Sequence, residues 1–136
     1  MVKVIMGLKG SGKTKQMIDL INTAVGVEHG NVIAIERGPK LTYDLHNKVR
    51  LVDTSEYGLP NFDGMKGFIC GLYASNYDIT HVFIDSLTKI IPSENAADAE
   101  AFLDWLERFS EKYHVKFTVT ISADVSLASD GIKKYF

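Results

Sequence analysis

The amino-acid sequence predicts an α/β protein whose mostly parallel, five-stranded sheet carries helices on both faces, a three-layer architecture. Three observations support this prediction. Short apolar runs of strand type alternate along the chain with stretches of helical period. This alternation is typical of βαβ units with right-handed crossovers. Polar residues follow several of the apolar runs, and ligands of parallel sheets bind at that end of the strands.

Each strand is predicted from a short apolar run that turn residues interrupt. The third run is more polar than the others, so we expect it nearer an edge of the sheet. The last residues, 132–136, are expected to form a short strand or a helical turn. The five strands are predicted over residues 2–6, 31–36, 48–52, 81–86 and 116–122.

The helices are predicted from apolar side chains that recur at helical spacing. In the third helix, Asn95 is placed to cap the amino end, with Asp98 at the third helical position. Its acidic residues are expected mostly to face solvent rather than to form a binding site. The apolar stripes are Met17, Leu20, Ile21 and Ala24; Met65, Phe68, Ile69, Leu72 and Tyr73; and Phe102, Trp105, Leu106 and Phe109.

Length and composition predict one ordinary globular domain spanning residues 1–136. The chain is 46% hydrophobic and 24% charged, and its formal net charge of −2 gives nucleic-acid binding no support. No apolar stretch reaches 18 residues, and no secretory leader is visible. We therefore expect a cytoplasmic protein without a membrane span.

The cysteine and histidine content makes a disulfide or a zinc site unexpected. Cys70 is the only cysteine, so no internal disulfide can form, and its apolar helical surroundings predict a buried thiol. The four histidines, at positions 29, 46, 81 and 114, do not show the spacing of zinc ligands.

The first strand leads into a phosphate-binding P-loop motif. The segment fits G-x-x-x-x-G-K-[ST] at every defined position, and it lies between a strand and a helix, as the motif requires. A chance glycine-rich turn is the alternative. The residues of the motif are Gly7, Leu8, Lys9, Gly10, Ser11, Gly12, Lys13 and Thr14.

The residue types in this loop suit a nucleotide phosphate. Glycines at positions 7, 10 and 12 are expected to take positive φ and turn backbone N–H groups inward. The helix that begins near Lys13 adds free N–H donors and a positive dipole end. Lys13 is predicted to reach the β- and γ-phosphates, and the Thr14 hydroxyl to bind Mg²⁺. The sequence thus predicts a site for a nucleoside triphosphate or diphosphate.

A second element of the site is predicted at Asp85, which ends the apolar run Val82–Ile84. This pattern is typical of a Walker B strand, whose carboxylate holds Mg²⁺ against the phosphates. We expect the strand to lie beside the P-loop strand. A buried strand ending in aspartate for purely structural reasons is the alternative.

Together these motifs resemble the core of RecA-type ATPases, over roughly residues 1–123. The resemblance implies that Glu36, at the end of the second strand, activates the attacking water. A carboxylate paired with Arg37, Lys40 or solvent is the alternative for Glu36. The strand ending at Ser122 resembles the one that carries a γ-phosphate sensor, although Ser122-Ala123-Asp124 replaces the usual glutamine or asparagine. The sequence also resembles short bacterial P-loop proteins, some labelled twitching-motility ATPases.

The leading functional hypothesis is an ATP-binding protein with slow Mg²⁺-dependent hydrolysis, stimulated by a partner or by self-assembly. ATP is favoured over GTP by the resemblance and because no guanine-specific Asn-Lys-x-Asp motif is present. A kinase for a small metabolite or nucleoside is the first alternative. A nucleotide-sensing module that does not hydrolyse ATP is the second.

Overall fold

The computed structural model describes residues 1–41, 44–93 and 95–136. Residues 42 and 43, which fall in the loop predicted over 40–47, therefore lie outside the described residues. The strands are β1 (Val2–Gly7), β2 (Asn31–Glu36), β3 (Arg50–Asp53), β4 (Ile79–Ile84) and β5 (Lys116–Ser122). The helices are α1 (Lys13–Val27), α2 (Phe62–Ser75), α3 (Leu87–Ile90), α4 (Ala96–Tyr113) and α5 (Asp130–Lys133). Short 3₁₀ turns cover Thr54–Glu56 and Val125–Leu127.

The five strands form one parallel sheet in the order β1-β5-β4-β2-β3. The predicted α/β class and five-stranded sheet are therefore confirmed. As predicted, the polar third strand lies at an edge. Because all strands run the same way, the polar residues that follow β2, β4 and β5 meet at one edge of the sheet.

Helices cover both faces of the sheet, as the sequence predicts. Alternate side chains of a strand point to opposite faces. On β2, Val32 and Ala34 belong to the core that includes Met17 and Ile21 of α1. Ile33 and Ile35 belong to the larger core on the other face, together with residues of α2 and α4.

The predicted cap of α4 is present. The Asn95 side chain accepts a hydrogen bond from the Ala97 N–H at 2.9 Å, and Asp98 occupies the third helical position. This contact satisfies one of the N–H groups that lack partners in the first turn of a helix.

Part of the acidic face of α4, predicted to face solvent, instead holds the two ends of the chain. Glu107 accepts a hydrogen bond from the Val2 N–H at 3.0 Å, and Asp104 forms an ion pair of 3.0 Å with Lys134. The Val4 N–H donates to the Tyr135 carbonyl at 2.7 Å. The reason is topological: β1 is an edge strand, and the last residues of the chain lie along it.

The predicted burial of Cys70 is wrong, because this thiol is exposed. Met65 and Ile69 are the buried residues of α2. Cys70 follows Ile69 by one residue, about 100° further around the helix, and this rotation takes it away from the core. Helix α2 also begins earlier than expected, at Phe62, inside the loop predicted over residues 53–64.

None of the described helices combines the length and the apolar character that crossing a membrane requires.

Candidate nucleotide-binding site

The P-loop connects β1 to α1 and reaches its shape through two of its three glycines. Gly10 and Gly12 have φ values of 84° and 88°, in the left-handed region where glycine is favoured. Gly7 does not, which corrects the prediction for that residue. It is instead a place of close approach: a Cβ on Gly7 would lie 2.5 Å from Ser11 Oγ, so Ser11 would have to move.

Lys13 lies at the centre of this loop, with only 9% of its surface exposed. Its Nζ donates a hydrogen bond to the Leu8 carbonyl at 2.8 Å and lies 3.5 Å from Ser11 Oγ. The loop therefore holds the ammonium group without a neutralising carboxylate in contact among the described residues. A phosphate is the kind of group that completes such an arrangement.

A cavity of about 440 Å³ opens beside the P-loop. Its volume falls within the range of roughly 300–1,000 Å³ that is usual for small-molecule sites. The lining comes from the P-loop and the start of α1, from the last residue of β5, and from the segments that follow β2 and β4. The lining residues are Lys9, Gly10, Gly12, Lys13, Thr14, Lys40, Ser86, Thr88, Lys89 and Ser122.

The strand that carries Asp85 does not lie beside the P-loop strand, which corrects that prediction. Strand β5 lies between them, pairing Gly7 with Ser122 on one side and Ile84 with Val119 on the other. The sequence could not show this, because strand order depends on the crossovers. The inserted strand places Ser122 next to the P-loop.

Asp85 is buried in a small hydrogen-bond network that the sequence did not predict. Thr120 of β5 donates from Oγ1 to Asp85 Oδ1 at 2.7 Å, and it accepts from the Ser86 N–H at 2.7 Å. Ser86 has φ 56° and ψ 63°, a left-handed conformation that is uncommon for serine and concentrates at functional sites. The sequence feature that could have indicated this network is the pair of threonines, Thr118 and Thr120, that alternate with apolar residues in β5. Both are buried in the structure.

The oxygen donors of this site suit Mg²⁺. Mg²⁺ in nucleotide sites uses one or two protein oxygens together with phosphate oxygens and water. Asp85 offers a carboxylate fixed by Thr120, and the exposed Thr14 of the P-loop offers a hydroxyl. Among the described residues no group of three or more His, Cys, Asp or Glu side chains could hold a metal alone. The site therefore suits a metal ion that binds together with a phosphate ligand, rather than one held by protein side chains alone.

Glu36, at the end of β2, is buried with 3% of its surface exposed. Its Oε1 accepts a hydrogen bond from the Leu41 N–H at 3.3 Å. Burial raises the pKa of this carboxyl, the nearby Asp85 and Asp53 charges add to the rise, and the backbone N–H groups of Leu41 and Lys40 oppose it. Glu36 forms no ion pair with a described residue. Arg37 donates instead to the Lys89 carbonyl, at 3.3 Å.

Two further lysines, Lys40 and Lys89, line the cavity. From the sequence, Lys40 is expected to be a solvated surface side chain, with contact to a phosphate or to Glu36 as the alternative, and Lys89 has no predicted role. Both are exposed and lie in segments without a recognisable motif. Only the meeting of the loop after β2 with α3 brings them together, which local sequence does not indicate.

The chain is similar in structure to a KaiC-like protein from the hyperthermophilic archaeon Pyrococcus horikoshii OT3, with a TM-score of 0.67 and 19% sequence identity. The match covers 98% of this chain and 66% of that chain. No model of a protein family matches the sequence, and no curated protein matches it. The structural likeness supports the RecA-type P-loop fold that the sequence predicts.

Proposed function

We propose that this protein binds ATP with Mg²⁺ and hydrolyses it slowly. The observation that carries the proposal is the cavity of about 440 Å³, which is lined by the P-loop with Lys13 and by the segment that follows Asp85. The similarity in fold to a KaiC-like protein agrees with it.

In the proposed complex, the P-loop N–H groups and the amino end of α1 surround the β-phosphate. Lys13 leaves the Leu8 carbonyl and contacts the β- and γ-phosphates. Thr14 and Asp85 hold Mg²⁺, which offsets negative charge on the phosphates. The hydrogen bond from Thr120 fixes the orientation of the Asp85 carboxylate.

Glu36 is the proposed general base. It accepts a proton from water while the water oxygen bonds to the γ-phosphorus and the bond from that phosphorus to the β–γ bridging oxygen breaks, giving ADP and phosphate. The raised pKa of Glu36 makes it a stronger base than an ordinary glutamate. Only 3% of the Glu36 surface is exposed, so bulk water has little access to it, which agrees with slow turnover. Unstimulated P-loop hydrolases can be as slow as about 10⁻⁴ s⁻¹.

Stimulation by a partner or by self-assembly is part of the proposal. Leu8 of the P-loop and Val125 are exposed apolar side chains, and both border a cleft beside Lys13. Exposed apolar groups at a site are typical of surfaces that another protein covers.

The test measures ATP binding by calorimetry and phosphate release with Mg²⁺, over a range of protein concentrations. We expect Lys13→Ala to abolish both. We expect Glu36→Gln to bind ATP as the native protein does and to release no phosphate. Glu56→Gln is the matched control, because Glu56 is exposed and does not line the cavity.

Each outcome separates the hypotheses. A specific rate that rises with protein concentration supports stimulation by self-assembly. Binding without phosphate release by the native protein contradicts hydrolysis and favours a nucleotide-sensing module. ATP binding that survives Lys13→Ala unchanged contradicts the proposed site.

A second cavity favours a kinase as the alternative function. It has a volume of about 200 Å³ and is lined in part by Arg37, Thr54 and Ser55. Thr54 Oγ1 donates to the backbone carbonyl of Glu36 at 3.3 Å, so this cavity lies near the end of β2. It is smaller than most ligand sites, which limits an acceptor to a small molecule.

The kinase alternative predicts a phosphorylated product rather than free phosphate. Incubation with Mg²⁺, labelled ATP and pools of small alcohols, nucleosides and carboxylic acids would show label transfer, and Arg37→Gln would reduce it. Label recovered only as inorganic phosphate would contradict this alternative.

A further inference from the structure

Lys40 and Lys89 belong to segments far apart in the chain but line the same cavity as the P-loop. Lys40 lies in the loop after β2, four residues beyond Glu36, and Lys89 lies in α3, four residues beyond Asp85. Both segments follow the carboxyl ends of strands. The two lysines therefore line the same cavity as the P-loop, each four residues beyond one of the two carboxylates proposed for catalysis and metal binding.

The two ammonium groups are close enough to affect each other. Side-chain contact with Lys40 is the largest cause of a lowered pKa for Lys89, and the Lys40 and Lys9 charges lower it further, whereas Asp85 opposes them. Like charges held together repel, and an anion between them would remove that repulsion. Neither lysine forms an ion pair with a described residue.

The backbone that carries Lys89 is fixed by hydrogen bonds. Arg37 Nη1 donates to the Lys89 carbonyl at 3.3 Å, and the Lys89 N–H donates to the Ser86 carbonyl at 2.9 Å. The first contact ties α3 to the end of β2, from which the Lys40 loop also starts. The proximity of the two lysines thus follows from a connected framework.

We propose that Lys40 and Lys89 bind the terminal phosphate of a nucleoside triphosphate, so that the site distinguishes triphosphates from diphosphates. The inference rests on the proposed function, because it assumes that the P-loop holds the inner phosphates. A triphosphate anchored there extends its last group further into the cavity that these lysines also line. A diphosphate lacks that group and leaves the two cations unneutralised.

The test compares the affinities of ADP and of β,γ-imido-ATP, a non-hydrolysable triphosphate, by calorimetry with Mg²⁺ at low and moderate salt. We expect Lys40→Gln and Lys89→Gln each to weaken triphosphate binding about 10-fold, the loss of one charge-assisted contact. ADP affinity should change less than 2-fold, which is roughly the effect of a remote charge. Lys133→Gln, at an exposed lysine of α5 outside this cavity, is the matched control.

A second measurement separates a lost contact from damage to the fold. Without nucleotide and at low salt, the melting temperature of Lys89→Gln should equal or exceed that of the native protein, because the change removes a repulsion. Addition of the triphosphate should then raise that temperature less than it does in the native protein. Lys89→Arg, which keeps the charge, should preserve the preference for triphosphate.

The results distinguish failure of this inference from failure of the proposed function. Equal losses for the triphosphate and ADP would overturn the inference and show a general attraction for anions. Unchanged binding in both lysine variants would also overturn it, with Lys40 and Lys89 serving only as solvated side chains. ADP binding that Lys13→Ala does not weaken would overturn the proposed function itself, and the inference with it.

Discussion

Strands β4 and β5 carry a polar cluster at each of their two ends, and the clusters are built in opposite ways. At the amino ends, the Nε2 atom of His81 lies 2.9 Å from Thr118 Oγ1, and its Nδ1 atom lies 3.6 Å from Glu28 Oε1. Glu28 also pairs with Lys116 at 3.0 Å. Opposite charges meet there, and His81 stacks on Phe83.

At the carboxyl ends, groups of like charge meet instead. Burial raises the pKa of Glu36, with smaller contributions from the Asp85 and Asp53 charges, and contact with Lys40 lowers the pKa of Lys89. Ser86 holds a left-handed backbone there and lines, with the P-loop, the cavity of about 440 Å³. Such an arrangement lowers stability in the free protein, and a bound ligand can offset the loss.

The comparison shows how to tell a structural polar cluster from a functional one on the same strands. In the amino-end cluster Lys116 neutralises Glu28, although Glu28 Oε1 is buried without a hydrogen-bond partner among the described residues. The carboxyl-end cluster contains repulsions that a magnesium–nucleotide complex would relieve. Perturbed groups beside a cavity are candidates for function, whereas equally perturbed groups in a closed network serve the fold.

The largest expected effect is on the pH dependence of stability, and it tests the amino-end cluster. Burial lowers the pKa of His81 to about 4, the Lys116 and amino-terminal charges lower it further, and Glu28 opposes them. The folded pKa is below the unfolded value of 6.5, so His81 contributes stability above pH 6.5 that is lost as the pH falls toward 4. The loss is about 3 kcal/mol at most, since one pKa unit corresponds to about 1.4 kcal/mol.

Urea unfolding at several pH values measures this loss. We expect His81→Gln, which cannot take up a proton, to remove most of the pH dependence between 6.5 and 4. The exposed His29→Gln should keep it. Parallel curves for native protein and His81→Gln would contradict the structural role assigned to this cluster.

The next largest effect is on Mg²⁺-dependent ATP affinity, and it tests the proposed metal site at the carboxyl ends of the strands. Asp85→Asn should lower Mg²⁺-dependent ATP affinity on the order of 100-fold, because a metal clamp on phosphate contributes several kcal/mol. Affinity in excess EDTA should change little. Asp63→Asn is the control, since Asp63 is exposed in the first turn of α2, a helix that contributes no residue to the cavity lining. An unchanged response of Asp85→Asn to Mg²⁺ would remove Asp85 from the metal site.

A pair of identical substitutions on β5 compares the two ends directly. Thr120→Val removes the donor to buried Asp85 and the acceptor for the Ser86 N–H, at a cost of about 2 kcal/mol of unfolding free energy. Thr118→Val removes only the His81 contact and should cost less. Thr120→Val should also weaken Mg²⁺–ATP binding, and Thr118→Val should not. Equal effects of the two changes on ATP affinity would contradict a special role for Thr120.

The smallest expected effect concerns Glu36. Its folded pKa is raised, so protonation favours the folded state and stability falls as the pH rises from about 4.5 through the folded pKa. Glu36→Gln should therefore melt at a higher temperature than the native protein at pH 8, and the difference should shrink as the pH falls to 4. The exposed Glu56→Gln should show no such gain. A lower melting temperature for Glu36→Gln at pH 8 would show that its carboxylate stabilises the fold.

Local sequence patterns were sufficient to predict most of the elements. The P-loop consists of contiguous residues between a strand and a helix, so its position and the start of α1 at Lys13 could be predicted. The Asn95 cap depends only on the next few residues, and it was also predicted. The predicted burial of Cys70 was wrong because apolar neighbours in the sequence do not define which side of a helix is buried. The predicted positive φ of Gly7 was wrong because glycine is needed there for the close approach of Ser11, not for the backbone conformation.

The sequence by itself determined the fold class and the positions of the P-loop, Glu36 and Asp85, since periodicity and motifs are properties of neighbouring residues. Only the tertiary structure decided that β5 lies between β1 and β4, that Thr120 holds Asp85, and that Lys40 and Lys89 line one cavity with the P-loop. These contacts join residues dozens of positions apart. They depend on strand order and crossovers, which hydrophobic burial across the whole chain selects and which local pattern does not encode.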